Sequence, residues 1–410
     1  MTHRIAAGFL PLLDSALLVT AQARGFAAAE GVDLLLLPET SWATLRDRLA
    51  VGQMQVAHML GPLPIAGNLG LWPLPARTVV PMALGLGGNA VTVSNALWTL
   101  MAREGATPDL APAPNGRALR AVVARRARDG WARLRFGVVH PHSGHNYELR
   151  YWLAACGLDP SRDVEIAVLP PSFMPEALVA GTLDGFCAGE PWNTAAVLRG
   201  AGRIATVKAA IWRNSPEKVL AAEATWADRN PEALDALLRA LHRASLWCAE
   251  PANQAELAAL LAERIGCPPD WLRPALAGEI LAGPGLTTRV PDFFVPQASA
   301  ATFPWKSHAL WFYSQMVRWG QVVPGPEAAA AARESYRPDL WRRALRPLGV
   351  AQPAANAKVE GALDRPTPVG STGPSLVLGP DGFFDGQRFD PDSLDAYIAT
   401  QAGSSTAHEA

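Results

Sequence analysis

The sequence is poor in cysteine, in net charge and in long apolar runs, and each shortage argues against a class of protein. The 410 residues include four cysteines with no CxxC pair: Cys156, Cys187, Cys248 and Cys267. Scattered thiols in a chain this long indicate a reducing compartment, not a disulfide framework. The formal net charge of −1 creates no field that would attract nucleic acid or an acidic membrane. No apolar run reaches the roughly 18 residues that a membrane-spanning helix needs.

The chain does have the length and apolar content of a folded soluble protein of two or three domains, with 49% hydrophobic and 18% charged residues. It begins MTHRIAAGFLPLLDSALLVTAQA, and the final AQA is typical of a signal-peptide cleavage site. Pro11 and Asp14, however, interrupt the apolar run. We therefore interpret this segment as a buried strand, Ile5–Leu10, followed by a helix that Asp14 caps, and we expect a cytoplasmic protein without an export signal.

Short apolar runs alternate with helical patterns along the first half of the chain, which is typical of βαβ units with a mostly parallel sheet. The first predicted strands are Ile5–Leu10, Val32–Leu37, Val56–Leu60, Val79–Leu84 and Ala90–Ser94. After a Pro/Ala-rich linker, Thr107–Asn115, the second set comprises Leu134–Val139, Val164–Leu169, Gly185–Ala188 and Ile204–Val207. Helical patterns follow at Pro231–Ala249, Gln254–Ile265 and Trp305–Gly320.

This order predicts an α/β fold with two doubly wound lobes and a ligand cleft between them. We expect residues 1–95 and 212–350 to form lobe I and residues 96–211 to form lobe II. Residues 351–410 are expected to be an extension that wraps lobe I. Because open α/β sheets bind ligands beyond the carboxyl ends of their strands, the candidate site residues are polar groups that directly follow strands.

The segment HPHSGHNYELRYWL, residues 140–153, holds three of the eight histidines and follows a predicted strand. Ser143 is well positioned to cap a helix from Gly144 to about Ala155, which puts His145 in the first turn beside free backbone N–H groups. That position suits an anion. Zinc would need three or four converging ligands, and a catalytic base would need a nucleophile motif such as GxSxG. Neither accompanies the cluster, so we expect no metal and no cofactor.

Three further residues occupy comparable positions. Trp42 follows Ser41, a predicted helix N-cap, so its indole N–H could donate to an anion; alternatively, the ring belongs to the core. Gly189 in AGEPWN lets a ligand approach the backbone, or merely permits a tight strand-to-helix turn. Lys218 in PEKVL offers three donors, although a lone lysine is usually a solvated surface residue.

Taken together, these stretches resemble the NrtA/CmpA family of nitrate- and bicarbonate-binding proteins of ABC transport, which has a cytoplasmic nitrate-sensor branch, NasS. The motifs, in family order, are SWATLRD, GNAVTVS, HNYELRYWLAACGLDP, FCAGEPWN, PEKVL, PWKSHALWFYSQMVRWG and FFDGQRFDP. The resemblance covers nearly the whole chain. It implies a fold like that of type II periplasmic binding proteins, with nitrate held by Trp42, His145, Gly189 and Lys218.

The chain departs from the family pattern at one further position. Where the transport proteins have a glutamine ahead of GNAVTVS, this chain has Gly87, which removes one side-chain donor. We expect the Gly88 N–H, Asn89 or a water molecule to substitute for it. The predicted nitrate site therefore includes Gly87 and Asn89.

The resemblance and the expected lack of an export signal predict a regulatory protein, not an enzyme. The main hypothesis is a cytoplasmic nitrate/nitrite sensor of nitrate assimilation. It would sequester an ANTAR-type (NasT-like) RNA-binding antiterminator and release it when the anion binds. One alternative is the substrate-binding component of an ABC importer for nitrate or a related anion. A remote alternative is a pyrimidine synthase on the same fold, which carries a Cys-rich motif that this chain lacks.

The segment RALRAVVARRARDGWARLR, residues 117–135, holds seven arginines and one aspartate. It could face RNA or an acidic partner, or it could be the solvated face of a helix on lobe II. Because the groove-reading elements of RNA-binding proteins do not accompany it, we favour the solvated face and expect no direct contact with nucleic acid.

Overall fold

The computed structural model describes residues 2–406 and has the two-lobed α/β architecture predicted from the sequence. Its strands are β1 (His3–Phe9), β2 (Val32–Pro38), β3 (Val56–Leu60), β4 (Thr78–Ala83), β5 (Leu86–Gly87), β6 (Asn89–Ser94), β7 (Leu134–Val138), β8 (Val164–Val168), β9 (Gly185–Gly189), β10 (Gly202–Val207), β11 (Lys218–Glu223), β12 (Glu279–Gly283), β13 (Leu286–Arg289), β14 (Phe294–Val295), β15 (Gln352–Pro353), β16 (Thr367–Val369), β17 (Ser371–Thr372) and β18 (Leu376–Leu378).

The helices connect and cover these strands, and the predicted helices Pro231–Ala249 and Gln254–Ile265 are confirmed residue for residue. The helices are α1 (Ala16–Ala23), α2 (Phe26–Ala29), α3 (Trp42–Ala50), α4 (Pro62–Asn68), α5 (Asn95–Arg103), α6 (Pro112–Arg128), α7 (Gly144–Ala155), α8 (Met174–Val179), α9 (Trp192–Leu198), α10 (Lys208–Ile211), α11 (Ala224–Arg229), α12 (Pro231–Ala249), α13 (Gln254–Ile265), α14 (Arg273–Ala277), α15 (Lys306–Arg318), α16 (Pro326–Ser335), α17 (Pro338–Leu345) and α18 (Leu394–Thr406). None of the helices in residues 2–406 combines the length and apolarity needed to cross a membrane.

Each lobe is built on a five-stranded sheet in which four strands run in one direction. In lobe I the order is β2-β1-β3-β11-β4, and β11 runs antiparallel to both of its neighbours. In lobe II the order is β10-β6-β9-β7-β8, and β6 is the antiparallel strand. The two antiparallel strands, β6 and β11, are the first strands that the chain adds to each sheet after it crosses from the other lobe. Strands such as β3 are buried along their whole length, as expected for sheets covered by helices on both faces.

Two chain segments, residues 84–88 and 208–217, cross between the lobes and are hydrogen-bonded to each other. The Gly87 N–H donates to the Ser215 carbonyl at 3.0 Å, and an isolated antiparallel bridge joins Leu86 to Pro216. Gly87 has a φ of 75° and Gly88 a φ of 93°, in the left-handed region that favours glycine. The GLGG sequence is therefore part of the hinge.

One expected lobe boundary and the predicted linker each need a correction. Because β6 hydrogen-bonds within the sheet of lobe II, the first crossing lies before Asn89 and not after residue 95. The predicted linker Thr107–Asn115 is also shorter than expected, because α6 begins at Pro112, a residue that suits a first helical turn. The arginine-rich segment forms the largely exposed side of α6 and the strand after it, as expected, with pairs such as Arg125–Glu104 at 2.9 Å.

The C-terminal extension, which was expected to wrap lobe I, also contacts lobe II and the hinge. The Phe383 ring stacks on Trp212, which directly follows α10, with centroids 4.6 Å apart and an interplanar angle of 18°. The Tyr151 hydroxyl of α7, in lobe II, donates to the Asp385 carboxylate at 2.9 Å. The end of the predicted extension, residues 407–410, lies outside the described residues.

Candidate anion-binding site

Five of the six predicted site residues meet between the two lobes. Trp42 begins α3 and His145 lies in the first turn of α7. Asn89 begins β6, Gly189 ends β9 and Lys218 begins β11, and all five residues are buried. The two helix starts form as predicted, because Ser41 accepts a hydrogen bond from the Thr44 N–H and Ser143 from the Asn146 N–H.

The cleft is closed over these residues. The Leu13 N–H of lobe I donates to the Glu190 carbonyl of lobe II at 2.9 Å, and the Tyr147 hydroxyl of lobe II donates to Gln321 of lobe I at 2.6 Å. With both lobes in contact, the site lies in a water-poor environment, where electrostatic interactions are strong.

Gly189 forms the backbone wall of the site. A Cβ on Gly189 would stand 3.4 Å from Asn89 Oδ1, 3.5 Å from Asp14 Oδ2 and 3.9 Å from His145 Nε2. Gly189 and Asn89 are also paired in the sheet of lobe II. Because glycine has no side chain, a ligand of a few atoms can approach the backbone at this point and lie within reach of those polar groups.

Several polar atoms of the predicted site residues are buried without a hydrogen-bond partner among the described residues. They are Trp42 Nε1, both side-chain amide atoms of Asn89 and both ring nitrogens of His145, of which one carries a proton in the neutral ring. A buried donor left unpaired is costly, and most buried donors in proteins are satisfied. Three such side chains among the predicted site residues, two of them facing Gly189, therefore favour a ligand with several acceptor atoms, which is the chemistry of a small oxyanion.

Lys218 supplies a positive charge at the site, and it also forms ion pairs with other buried side chains. Its ammonium group donates to Asp14 Oδ2 at 2.7 Å and to Glu217 Oε1 at 2.8 Å, and it lies 5.4 Å from the Trp42 ring centroid. The opposite oxygen of Asp14 is 3.1 Å from His58 Nε2. Lys218 thus belongs to a fully buried charge network.

The prediction that Asp14 caps a helix was wrong, because its side chain makes no capping hydrogen bond and instead forms the ion pair with Lys218. Sequence reasoning also missed a second ammonium group. Lys208, at the start of α10, donates to Glu217 Oε2 and to the Pro216 carbonyl, each at 2.6 Å, and pairs with Glu148 of α7. The available signal for Asp14 was a charged residue interrupting an apolar run directly after β1. Lys208 carried no comparable signal.

Burial and neighbouring charges set the protonation of the carboxyl groups. Burial alone would raise the pKa of Asp14, but Lys218 and His58 bring it down to about 2. The charges of Lys208 and Lys218 likewise outweigh burial and hold the pKa of Glu217 well below its usual range. For Glu148 burial wins and raises the pKa to about 8. At neutral pH, Asp14 and Glu217 are therefore ionised and Glu148 is protonated.

His145 is neutral at physiological pH, because burial lowers its pKa to about 3. Its Nδ1 lies 3.4 Å from Glu217 Oε1. His140 and His142 do not line the site. The His142 N–H donates to His140 Nδ1 at 3.0 Å, and His142 Nδ1 lies 3.2 Å from the Tyr147 hydroxyl, so both rings build the loop ahead of α7. In the part of the chain that the structure describes, no group of three or more His, Cys, Asp or Glu side chains is arranged to hold a metal ion.

Gly87 is the predicted site residue that does not meet the others. Its N–H is occupied by the Ser215 carbonyl, and a Cβ would stand 2.2 Å from the Phe293 carbonyl oxygen, so a side chain here could not enter the cleft without moving the backbone. The Gly88 N–H, expected as a substitute donor, donates to the same Phe293 carbonyl at 2.6 Å. Of the expected substitutes in the chain, Asn89 is the one with a free amide at the site.

The cysteines are unsuited to nucleophilic chemistry. Burial raises the pKa of Cys156 and Cys267 to about 11 and that of Cys248 to about 12, and it raises the pKa of Cys187 well above its usual value. The thiolate is the reactive form of cysteine, and these groups remain thiols at neutral pH.

Two α/β lobes joined by two crossing segments, with a buried, donor-rich site between them, define a ligand-binding protein of the periplasmic-binding-protein class. Residues 2–262 match the model of the NMT1-like family. The chain belongs to this family, and within it to the group that contains NrtA and CmpA. The family resemblance and the fold predicted from the sequence are thereby confirmed.

Two relatives and one solved structure show how similar the chain is to members of this group. The chain is 33% identical to the nitrate/nitrite binding protein NrtA of Synechococcus elongatus over 407 residues, which cover 96% of this chain and 85% of NrtA. It is also 33% identical to the bicarbonate transport ATP-binding protein CmpC of the same organism over 356 residues, 84% of this chain but 50% of CmpC. The crystal structure of the periplasmic nitrate-binding protein NrtA from Synechocystis PCC 6803 superposes with a TM-score of 0.84 at 28% identity and covers 98% of both chains.

Proposed function

We propose that this protein binds nitrate or nitrite in the closed cleft and serves as the substrate-binding component of an anion importer. The observation that carries the proposal is that the Asn89 and His145 side chains face Gly189 and that both, like Trp42 Nε1 across the cleft, are buried without partners among the described residues. Lys218 adds the positive charge beside them. Nitrate is a planar anion whose three oxygens accept hydrogen bonds in different directions, so it can satisfy these donors together.

The residues that would hold the anion come from both lobes. Trp42 and Lys218 belong to the sheet and helices of lobe I, whereas Asn89, His145 and Gly189 belong to lobe II. An anion that contacts both sets binds the closed form better than the open form, so it shifts the population towards closure. Either a membrane transporter or a regulatory partner would distinguish the closed conformation from the open one.

The names of the relatives support the importer over the sensor that the sequence analysis favoured. Those relatives are named as binding proteins and ATP-binding proteins of nitrate and bicarbonate transport, not as enzymes. They also make bicarbonate the main rival ligand. Nitrate accepts hydrogen bonds without donating any, whereas bicarbonate has a hydroxyl donor that would need an acceptor. Of the two acceptors that face Gly189, Asp14 Oδ2 is already bonded to Lys218, whereas Asn89 Oδ1 has no partner among the described residues and can accept from a bicarbonate hydroxyl, so bicarbonate remains a rival that binding measurements must decide.

A second candidate function is the cytoplasmic sensor that releases an ANTAR-type antiterminator on anion binding. The observation in its favour is that this chain is similar over 84% of its length to a protein named as ATP-binding, of which the match covers half. ATP-binding subunits work where ATP is, in the cytoplasm, so relatives of this fold are not confined to the far side of the membrane. In this role the closed form would have the lower affinity for the antiterminator.

Calorimetry and thermal unfolding with sodium nitrate, nitrite, bicarbonate and chloride at equal ionic strength test the binding proposal. A ligand that binds only the folded protein stabilises it by RT ln(1 + [L]/Kd), about 2.7 kcal/mol at one hundred times Kd. We expect nitrate and nitrite to raise the melting temperature and chloride to leave it unchanged. Stabilisation by bicarbonate alone would reassign the ligand, and stabilisation by none of these anions would refute the proposal.

The two roles are separated by location and partner. An importer component is recovered outside the cytoplasm and stimulates nitrate uptake by its transporter. A sensor is recovered in the cytoplasmic fraction, co-purifies with an RNA-binding antiterminator when nitrate is absent, and loses it when nitrate is added. Because coupling is reciprocal, bound antiterminator would also lower the apparent nitrate affinity. Equal nitrate affinity with and without that partner would exclude the sensor mechanism.

A further inference from the structure

The charges buried in the cleft already balance before an anion is counted. Lys208 and Lys218 contribute two ammonium groups, and Asp14 and Glu217 contribute two carboxylates. Glu148 is protonated at neutral pH because burial raises its pKa to about 8. The side chains of these residues are at most 4% exposed. An anion that enters this network therefore adds a buried negative charge that no group in it compensates.

An uncompensated buried charge is strongly unfavourable, so a second change must accompany binding. A carboxylate could leave, a cation could enter, or a side chain could take up a proton. Asp14 and Glu217 are each held by ion pairs at 2.6–2.8 Å, which opposes the first route. No cluster suited to a metal ion occurs among the described residues, which gives the second route no prepared ligands.

His145 has the geometry for the third route. Its Nε2 faces the anion space beside Gly189, 3.9 Å from the ideal Cβ position, and its Nδ1 lies 3.4 Å from Glu217 Oε1. A protonated imidazole has N–H donors on both nitrogens, one for the anion and one for Glu217. A neutral imidazole has one. Burial lowers the pKa of His145 to about 3, and an adjacent anion raises it.

We propose that the cleft takes up one proton with each anion it binds, and that His145 holds this proton between the anion and Glu217. The proposal rests on the anion-binding function proposed above and adds the chemical identity of what binds: one monovalent oxyanion together with one H⁺. The charged groups that act on His145 are Asp14 after β1, Lys208 on α10, Glu217 directly before β11 and Lys218 at its start. These groups in turn interact with His58 on β3, Glu148 on α7, Cys187 on β9 and Tyr336 after α16.

The proton count is measured by titrating the protein with sodium nitrate at pH 7 in buffers of different ionisation enthalpy. The slope of the observed heat against that enthalpy is the number of protons taken up per anion, and we expect a value close to one. Uptake of one proton also makes the apparent Kd rise tenfold for each pH unit between pH 6 and 8. Nitrate itself does not titrate in this range, so the proton belongs to the protein.

Variants assign the proton to a residue. We expect His145→Gln to bind nitrate more weakly and with a proton number near zero. His58→Gln tests the other imidazole of the network, and His242→Gln is a matched control, because His242 is also buried but lies on α12, outside the network. Both variants should keep a proton number near one. Histidine-labelled NMR of the wild-type protein checks the same point without a substitution, since the His145 ring must show imidazolium shifts when nitrate is bound.

The outcomes separate this inference from the proposed function. Nitrate binding with a proton number of zero, or a count that falls with His58→Gln and not with His145→Gln, overturns the proton assignment and leaves the function intact. Zero protons together with an affinity that depends on Na⁺ or Ca²⁺ would make a cation the compensating charge and overturn the inference. A wild-type protein that binds no nitrate at any pH refutes the proposed function itself.

Discussion

Individual residues in the cleft have partners that their types do not reveal. Lys218 was predicted as a ligand-binding donor, and it is also the partner of two buried carboxylates, Asp14 and Glu217. Gly189 was predicted to admit a ligand, and its missing Cβ faces Asn89, Asp14 and His145. The contacts of each residue therefore determine whether its substitution disturbs the fold, the binding site or both.

Lys218→Met is expected to lower the free energy of unfolding by about 3–5 kcal/mol, because it leaves the buried Asp14 and Glu217 without their shared cation. Adding Asp14→Asn to this variant should recover part of that loss, since it removes one of the unpaired charges. Urea denaturation measures both effects. Lys306→Met is the control, because its partner Glu334 is largely exposed, and a change of at most about 1 kcal/mol is expected. A Lys218 variant as stable as the control would contradict the network.

Gly189→Ala is expected to impair binding while leaving the fold intact. The backbone of Gly189 is outside the left-handed region, and the added methyl meets its neighbours at ordinary contact distances of 3.4 Å or more. The methyl does occupy space proposed for the anion, and overpacking of roughly 1–3 kcal/mol weakens nitrate binding about 10- to 100-fold. Calorimetry measures this change. Gly370→Ala, also at an ordinary contact distance but outside the cleft, should bind nitrate like the wild type.

At the scale of elements, the turn between β9 and α9 holds a buried carboxyl group, Glu190, next to the site. Glu190 accepts hydrogen bonds from the backbone N–H and the hydroxyl of Thr194, each at 3.1 Å. Burial still raises the pKa of Glu190 to about 7. A carboxyl group whose pKa is higher in the folded state stabilises the fold below its unfolded pKa of about 4.5. That stabilisation is lost as the pH rises through 7.

Glu190→Gln should therefore be more stable than the wild type at pH 8, by up to about 3 kcal/mol, because glutamine keeps the neutral form at every pH. The difference should shrink as the pH falls and vanish near pH 4.5. Denaturation curves at pH 4.5, 6 and 8 give this profile. A stability difference that does not depend on pH would mean that Glu190 does not change its protonation across this range.

At the scale of the whole molecule, the C-terminal extension links the lobes to the hinge. Phe383 stacks on Trp212, the residue that follows α10, and Asp385 accepts a hydrogen bond from Tyr151 of lobe II. The remainder of the extension is tied to α15, where Ser307 donates to Glu360 at 2.6 Å. Through these contacts, the extension packs against the crossing segment 208–217, which belongs to the hinge.

Phe383→Ala is expected to lower the free energy of unfolding by about 3–5 kcal/mol, as for other buried aromatic rings. Because the lost ring supports the hinge, small-angle scattering should also show a wider distribution of lobe orientations than in the wild type. Val377→Ala lies in the same extension with its side chain exposed, and it should change stability by less than about 1 kcal/mol. Equal stability of the two variants would show that the extension does not brace the hinge.

The sequence by itself determined nine strands and the edge at which the site lies, although β11, which begins with Lys218, was not among the predicted strands. All nine predicted strands occur within two residues of their expected bounds, because apolar periodicity and capping residues such as Ser41 and Ser143 act within one short segment. Parallel strands bring their carboxyl ends to one edge, so residues at or after strand ends led to Trp42, His145 and Gly189. The same reasoning supported the family resemblance.

Only the tertiary structure decided what those residues contact. Asp14 and Lys218 are 204 residues apart in the chain, and the pairing of β11 with β3 brings Lys218 to the cleft edge of the sheet, where Asp14 lies. Gly87 was predicted as a site residue, and the hydrogen bonds between the two crossing segments make it part of the hinge. Helix and strand patterns arise from neighbours a few residues apart, whereas ion pairs, hinges and buried charge balance depend on which distant segments meet, and no local pattern records that choice.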